Sequence, residues 1–103
     1  MPIVFISGKM TGEQNMNRKV FEKAEALLRK RGYVVLSPAW FPDGMEYDQY
    51  IRMCNAMINE CDAVYMMKGW ENSNGARLEY MYANERGKAV WFEEPLDEKM
   101  LWV

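Results

Sequence analysis

The sequence predicts an α/β fold in which a parallel sheet of four to five strands carries helices on both faces. Three observations lead there. Apolar runs of strand length alternate strictly with amphipathic stretches of helix length, in the order β-α-β-α-β-α-β. The first run, Ile3-Val4-Phe5-Ile6-Ser7, is continuously apolar up to its end, as in a strand buried on both sides. Stop signals stand at the joints: Gly8, Gly32, Pro38 and Gly87. Right-handed crossovers then narrow the topology to a flavodoxin-like, or half-Rossmann, sheet.

The first strand, Ile3–Ser7, runs into a polar loop from Gly8 to Asn15. A helix follows over about 17–31, with Val20, Phe21, Ala24, Leu27 and Leu28 as its apolar stripe. Asn15 or Asn17 is placed to cap its start, and Gly32 to end it. The second strand, 33–37, stops at Pro38, and Pro42, Asp43 and Gly44 mark the next segment as a loop. The second helix spans about 47–60 and turns Tyr50, Ile51, Cys54, Met57 and Ile58 inward. The third strand covers 62–67, and a loop leads into a third helix over about 75–86, capped by Ser73 or Asn74. The fourth strand covers 88–92. Residues 93–103 fit either a short helix or an irregular cap.

The whole chain, 1–103, reads as one domain, a size that supports a single core. No apolar run approaches the roughly 20 residues of a membrane span. The N-terminus reads as a strand and not as a signal peptide. Cys54 and Cys61 fit neither a zinc nor a disulfide spacing, and as free thiols they suit a reducing cytoplasm. The absence of histidine removes Ser-His-Asp and Cys-His triads and His-based metal sites. No metal and no cofactor are expected. Fifteen acidic against thirteen basic residues give a mildly acidic chain, so no nucleic-acid partner is expected. The basic cluster of Arg18, Lys19, Lys23, Arg29, Lys30 and Arg31 reads as a solvated helix face.

In open parallel sheets ligands bind beyond the carboxyl ends of the strands. Three loops meet there. Ser7-Gly8-Lys9-Met10-Thr11-Gly12 offers glycines for close backbone approach, a hydroxyl and a cation. It matches neither the Walker nor the dinucleotide loop, and a tight turn explains it equally well. Pro38 to Phe41 forms the second loop. The third, Gly69 to Gly75, feeds the third helix, whose free N–H groups attract anions. Glu79 follows, with small neighbours Gly75, Ala76 and Ala83 at helical spacing. Spacing leaves it open as a pocket carboxylate or a charge that complements the helix dipole. Trp70 is a base-stacking platform or a loop anchor. Arg77 is a phosphate ligand or the partner of Glu71 or Glu85 in an ion pair.

Three segments together, Ile6-Ser7-Gly8-Lys9-Met10-Thr11-Gly12, Cys61-Asp62-Ala63-Val64-Tyr65 and the run from Gly69 to Glu79, resemble the nucleoside 2-deoxyribosyltransferase-like superfamily. The nearest likeness is to its short phage- and prophage-associated branch, and it extends over nearly the whole chain. The resemblance implies a flavodoxin-like fold and cleavage or transfer at the N-glycosidic bond of a nucleoside or nucleotide. It assigns Glu79 as the nucleophile toward the anomeric carbon, with an ester resolved by water or a second base. Ser73 then matches a position that holds a 5′-phosphate, and the Gly8–Gly12 loop lines the pocket. Trp70, Gly75 and Arg77 complete the candidate binding set. Three positions depart from the family pattern. Phe5 stands where a Tyr hydroxyl orients the carboxylate, Cys54 where an Asp assists, and Lys9 where Pro is usual. These departures support an alternative: a catalytically weak or inactive nucleotide-binding protein that sequesters or regulates. The resemblance further implies a bacterial cytoplasmic setting and a homodimer or larger assembly. Met81, Tyr82, Leu101, Trp102 and Val103 are its candidate interface residues.

Overall fold

A computed structural model describes residues 1–94 of the chain. Four strands form one fully parallel sheet: β1 (Ile3–Ser7), β2 (Val34–Leu36), β3 (Ala63–Met66) and β4 (Ala89–Phe92). Their spatial order is β2-β1-β3-β4. The chain crosses from β1 to β2 on one side and returns past β1 to β3, so the strand order reverses between β1 and β3. The crossovers are α1 (Arg18–Lys30), α2 (Tyr47–Glu60) and α3 (Asn74–Glu85).

The central place of β1 explains its uninterrupted apolar run. Val4, Phe5, Ile6 and Ser7 are fully buried, and successive side chains point to opposite faces. Val4 and Ile6 pack with Phe21, Ala24 and Leu28 of α1. Phe5 packs on the other face with Val64, Met66, and Cys54 and Ile58 of α2 and Ala76 and Ala83 of α3. Among the described residues helices therefore cover both faces, α1 on one and α2 with α3 on the other. Each fully buried large side chain contributes roughly 1.5–3 kcal/mol of burial. The register joins Phe5 to Leu36 on one side and to Val64 on the other.

Several local details differ from the sequence expectation. Val20 and Leu27 lie at the margin of the α1 stripe and are exposed, leaving the narrower Phe21-Ala24-Leu28 stripe buried. No Asn side chain caps α1. Instead Asn15, Met16 and Asn17 all adopt left-handed backbone, at φ 50°, 56° and 62°. Asn17 Nδ2 donates to the Lys9 carbonyl at 2.9 Å, tying this turn to the loop after β1. The cap of α2 is a reciprocal box between Glu46 and Gln49. β3 starts one residue later than expected, and Asp62, just before it, accepts from the Ile3 N–H at 2.7 Å through its carboxylate; β4 likewise starts one residue late, after Lys88, whose Nζ donates to the Asn59 carbonyl. Of the proposed interface residues, Met81 is exposed and the Tyr82 hydroxyl donates to Asn59 Oδ1 at 3.1 Å. Leu101, Trp102 and Val103 lie outside the described residues.

Candidate active site

A cavity of about 550 Å³ opens at the carboxyl ends of the strands. It lies where the strand order reverses, the position at which open α/β sheets bind ligands. The loop after β1 contributes Gly8, Lys9, Met10 and Thr11, and the segment after β2 contributes Pro38 and Phe41. From α2 come Tyr47, Tyr50, Ile51, Cys54 and Asn55. The start of α3 supplies Ser73, Gly75, Leu78 and Glu79. The volume and the mixture of aromatic walls with a few polar groups suit a small organic ligand.

Glu79 is half-buried as a residue, but its carboxyl group ends at the sheet. Ser7 Oγ, on the last residue of β1, donates to Glu79 Oε1 at 2.6 Å. Ser7 is fully buried, so this pair is sheltered from water. Ala76 and Ala83, at 1% and 0% exposure, let α3 pack close enough to bring the carboxyl to β1. Burial pushes the Glu79 carboxyl up from 4.5 to about 7, against the opposing pull of hydrogen bonds from Ser7 and Cys54. Cys54 is raised well above the ordinary thiol range by burial first and by the facing Glu79 carboxylate second. Its thiol is therefore neutral, and it faces the Glu79 carboxyl group.

Ser73 caps α3, its Oγ accepting from the Ala76 N–H at 3.1 Å, and so fixes the helix start at the cavity wall. Gly8 permits the closest approach of all. A Cβ there would stand 2.6 Å from Met67 Cε and 3.3 Å from Met67 Cβ. A side chain at Gly8 would displace the end of Met67 and press on its Cβ, so glycine favours the close packing under the loop.

Five expected site residues stand elsewhere. Ser7 does not line the cavity; it is sealed below it and contacts Glu79. Phe5, fully buried in the core, also stays out of the lining. Trp70 does not offer a stacking face, because its ring packs against Tyr80 and Phe92, with centroids 4.9 and 5.9 Å away. It is the loop anchor. Gly12 leaves the cavity through a turn at φ +85°. Among the described residues Arg77 forms neither a cavity contact nor an ion pair; its guanidinium donates to the Glu71 carbonyl and to Asn74 Oδ1.

The sequence reading also passed over Arg18, treated as part of a solvated helix face. Arg18 lines the cavity and ties its walls together. Its guanidinium donates to the carbonyls of Ala39 and Phe41, to Asn15 Oδ1, and to Asp43 Oδ1 at 2.8 Å. Only its place at the first turn of α1, one residue beyond the left-handed turn, could have set it apart from Lys19 and Lys23. Tyr47, Tyr50 and Asn55 were likewise missed, since they stand on a helix whose inward stripe reads only as core.

Among the described residues no cluster of His, Cys, Asp and Glu could hold a metal ion, and no helix is long and apolar enough to cross a membrane. No functionally curated protein matches the chain in sequence. Among solved structures, the chain is similar to a 2-desoxiribosyltransferase from Leishmania mexicana, with a TM-score of 0.73 and 20% identity over 89% of this chain. It spans 63% of that protein's length. A CMP N-glycosidase from Clostridium botulinum gives a TM-score of 0.61 and 24% identity, covering 87% of this chain and 69% of its own. These likenesses show the fold of the nucleoside deoxyribosyltransferase-like proteins. A family model matches over residues 2–92, and the chain therefore belongs to the family described as a domain of unknown function, DUF4406.

Proposed function

We propose that this protein cleaves the N-glycosidic bond of a nucleoside or nucleotide, by hydrolysis or by deoxyribosyl transfer, with Glu79 as nucleophile. The observation that carries the reading is a single carboxyl group, bonded to a buried hydroxyl, at the wall of a cavity of nucleoside size. The two similar solved structures, titled as a 2-desoxiribosyltransferase and a CMP N-glycosidase, support the same chemistry. In the proposed reaction a Glu79 oxygen forms a bond to the anomeric carbon while the carbon–nitrogen bond breaks. The electron pair leaves with the base, which takes up a proton from solvent. Water, or the nitrogen of a second base, then attacks the anomeric carbon and releases the carboxylate, losing its own proton to solvent.

The carboxylate form is the reactive one. With Glu79 raised to about 7, turnover should climb as pH rises through neutrality and level off above it. The test is chromatographic detection of free base from a panel of nucleosides and their 5′-monophosphates, at pH 6 and pH 8. Glu79→Gln should abolish release while the cavity still binds ligand. A second reading, a nucleotide-binding protein without turnover, is favoured by the neutral Cys54 thiol beside Glu79 and by the hydroxyl-free Phe5 in the core. Tight binding with no base released from any member of the panel would select it.

A further inference from the structure

We infer that Ser7 is the positioning residue that orients Glu79, holding one carboxylate oxygen through its hydroxyl so that the other forms the bond to the sugar. This rests on the reading of Glu79 as a nucleophile and adds how that nucleophile is aimed. Ser7 Oγ lies 2.6 Å from Glu79 Oε1, in the range of a strong hydroxyl–carboxylate bond. The two residues are 72 positions apart, and their juxtaposition is made by the close packing of α3 on β1.

Ser7 suits the task by its place. It is the last residue of the central strand, its carbonyl accepts from the Met67 N–H at 2.9 Å, and its side chain is fully buried. Such a donor keeps its direction through a catalytic cycle, since it cannot turn away to water. An oxygen that accepts a short hydroxyl bond is the poorer nucleophile of the two, so Oε2 is left to attack. When the sugar–carboxylate bond forms, the negative charge at Glu79 is lost; when that bond breaks, the charge returns and Ser7 stabilises it. Phe5, two residues earlier on β1, has no hydroxyl to offer and is enclosed in the core. Cys54 faces the same carboxyl group from α2, and Lys9 and Arg18 stand at the cavity wall, where they pair with Glu13 and Asp43.

The experiment compares the parent with Ser7→Ala and Ser7→Thr. The Ala variant removes one oxygen and introduces no overlap; folding is checked by circular dichroism. In the parent and each variant, Glu79 is titrated by NMR of its side-chain carboxyl carbon without ligand, and the pH profile of kcat is measured. Loss of the donor should move the Glu79 midpoint to higher pH, carry the rising limb of kcat with it, and lower the plateau kcat about 10–100-fold with little change in KM. Ser7→Thr should recover most of the plateau. A Ser7→Ala protein with the parent's Glu79 midpoint and plateau kcat would overturn the inference, and the proposed function would stand. Absence of turnover in the parent itself would remove the proposed function, and the role of Ser7 with it. The titration alone would then show whether Ser7 still bonds the carboxyl.

Discussion

Replacing Glu79 by glutamine should make the protein more stable at pH 8 and leave its stability unchanged at about pH 4. The folded protein holds the Glu79 proton up to about pH 7, whereas the unfolded chain releases it near 4.5. Between those values the folded state binds more protons than the unfolded one, so stability falls as pH rises. The contribution is complete below 4.5 and is lost once pH has passed through 7. At about 1.4 kcal/mol per pH unit, the interval amounts to about 3 kcal/mol. Glutamine has the shape of the protonated acid, can accept the Ser7 hydroxyl bond at Oε1, and carries no charge to bury. Of the other ionisable groups among the described residues only Cys54 faces Glu79, and burial keeps its thiol neutral in both proteins, so the rest cancel in the difference. Urea unfolding followed by tryptophan fluorescence at pH 4, 6 and 8 gives that difference directly. For a domain of this size, 3 kcal/mol at pH 8 corresponds to roughly 12–24 °C in Tm. A Gln variant no more stable than the parent at pH 8, or one offset equally at all three pH values, would refute the buried-carboxyl argument.

Two further outcomes test the cavity itself. Arg18→Ala should leave the carbonyls of Ala39 and Phe41 without their donor, loosen the wall that carries Phe41, and weaken ligand binding about 10–100-fold, as read by calorimetry. Gly8→Ala should destabilise the fold by about 1–3 kcal/mol in denaturant unfolding, because the added methyl group overlaps Met67.

The sheet was legible in the sequence because parallel strands and amphipathic helices leave different periodicities. The run Val4-Phe5-Ile6 announced a central strand, and each helix end fell within about two residues of expectation. The position of Glu79 was legible in the same way: Ala76 and Ala83 signalled a helix packed close to the sheet. Its hydrogen-bond partner was not. Ser7 stood in the sequence as one residue of a loop that could bind substrate, and nothing local said that it faces a helix 72 residues later. Arg18 was hidden for a related reason. Its neighbours Lys19 and Lys23 are ordinary surface lysines, and its partners Ala39, Phe41 and Asp43 come from another crossover. Trp70 could not be assigned because a buried ring and a stacking platform use the same residue type; the packing on Tyr80 and Phe92 decides it.

The central position of β1 also bears on how the chain is made. During synthesis Ile3–Ser7 emerges before its sheet neighbours: β2 follows soon after, but β3 arrives only with Ala63–Met66. Until then the most apolar segment of the protein has one edge unpaired and most of one face uncovered, a state in which strands associate with other chains. The sheet is closed by contacts between distant parts of the chain, which makes its folding slow for its size. Synthesis rate and chaperone access over the stretch between β1 and β3 should therefore govern the yield of native protein, more than the sequence of the later strands does.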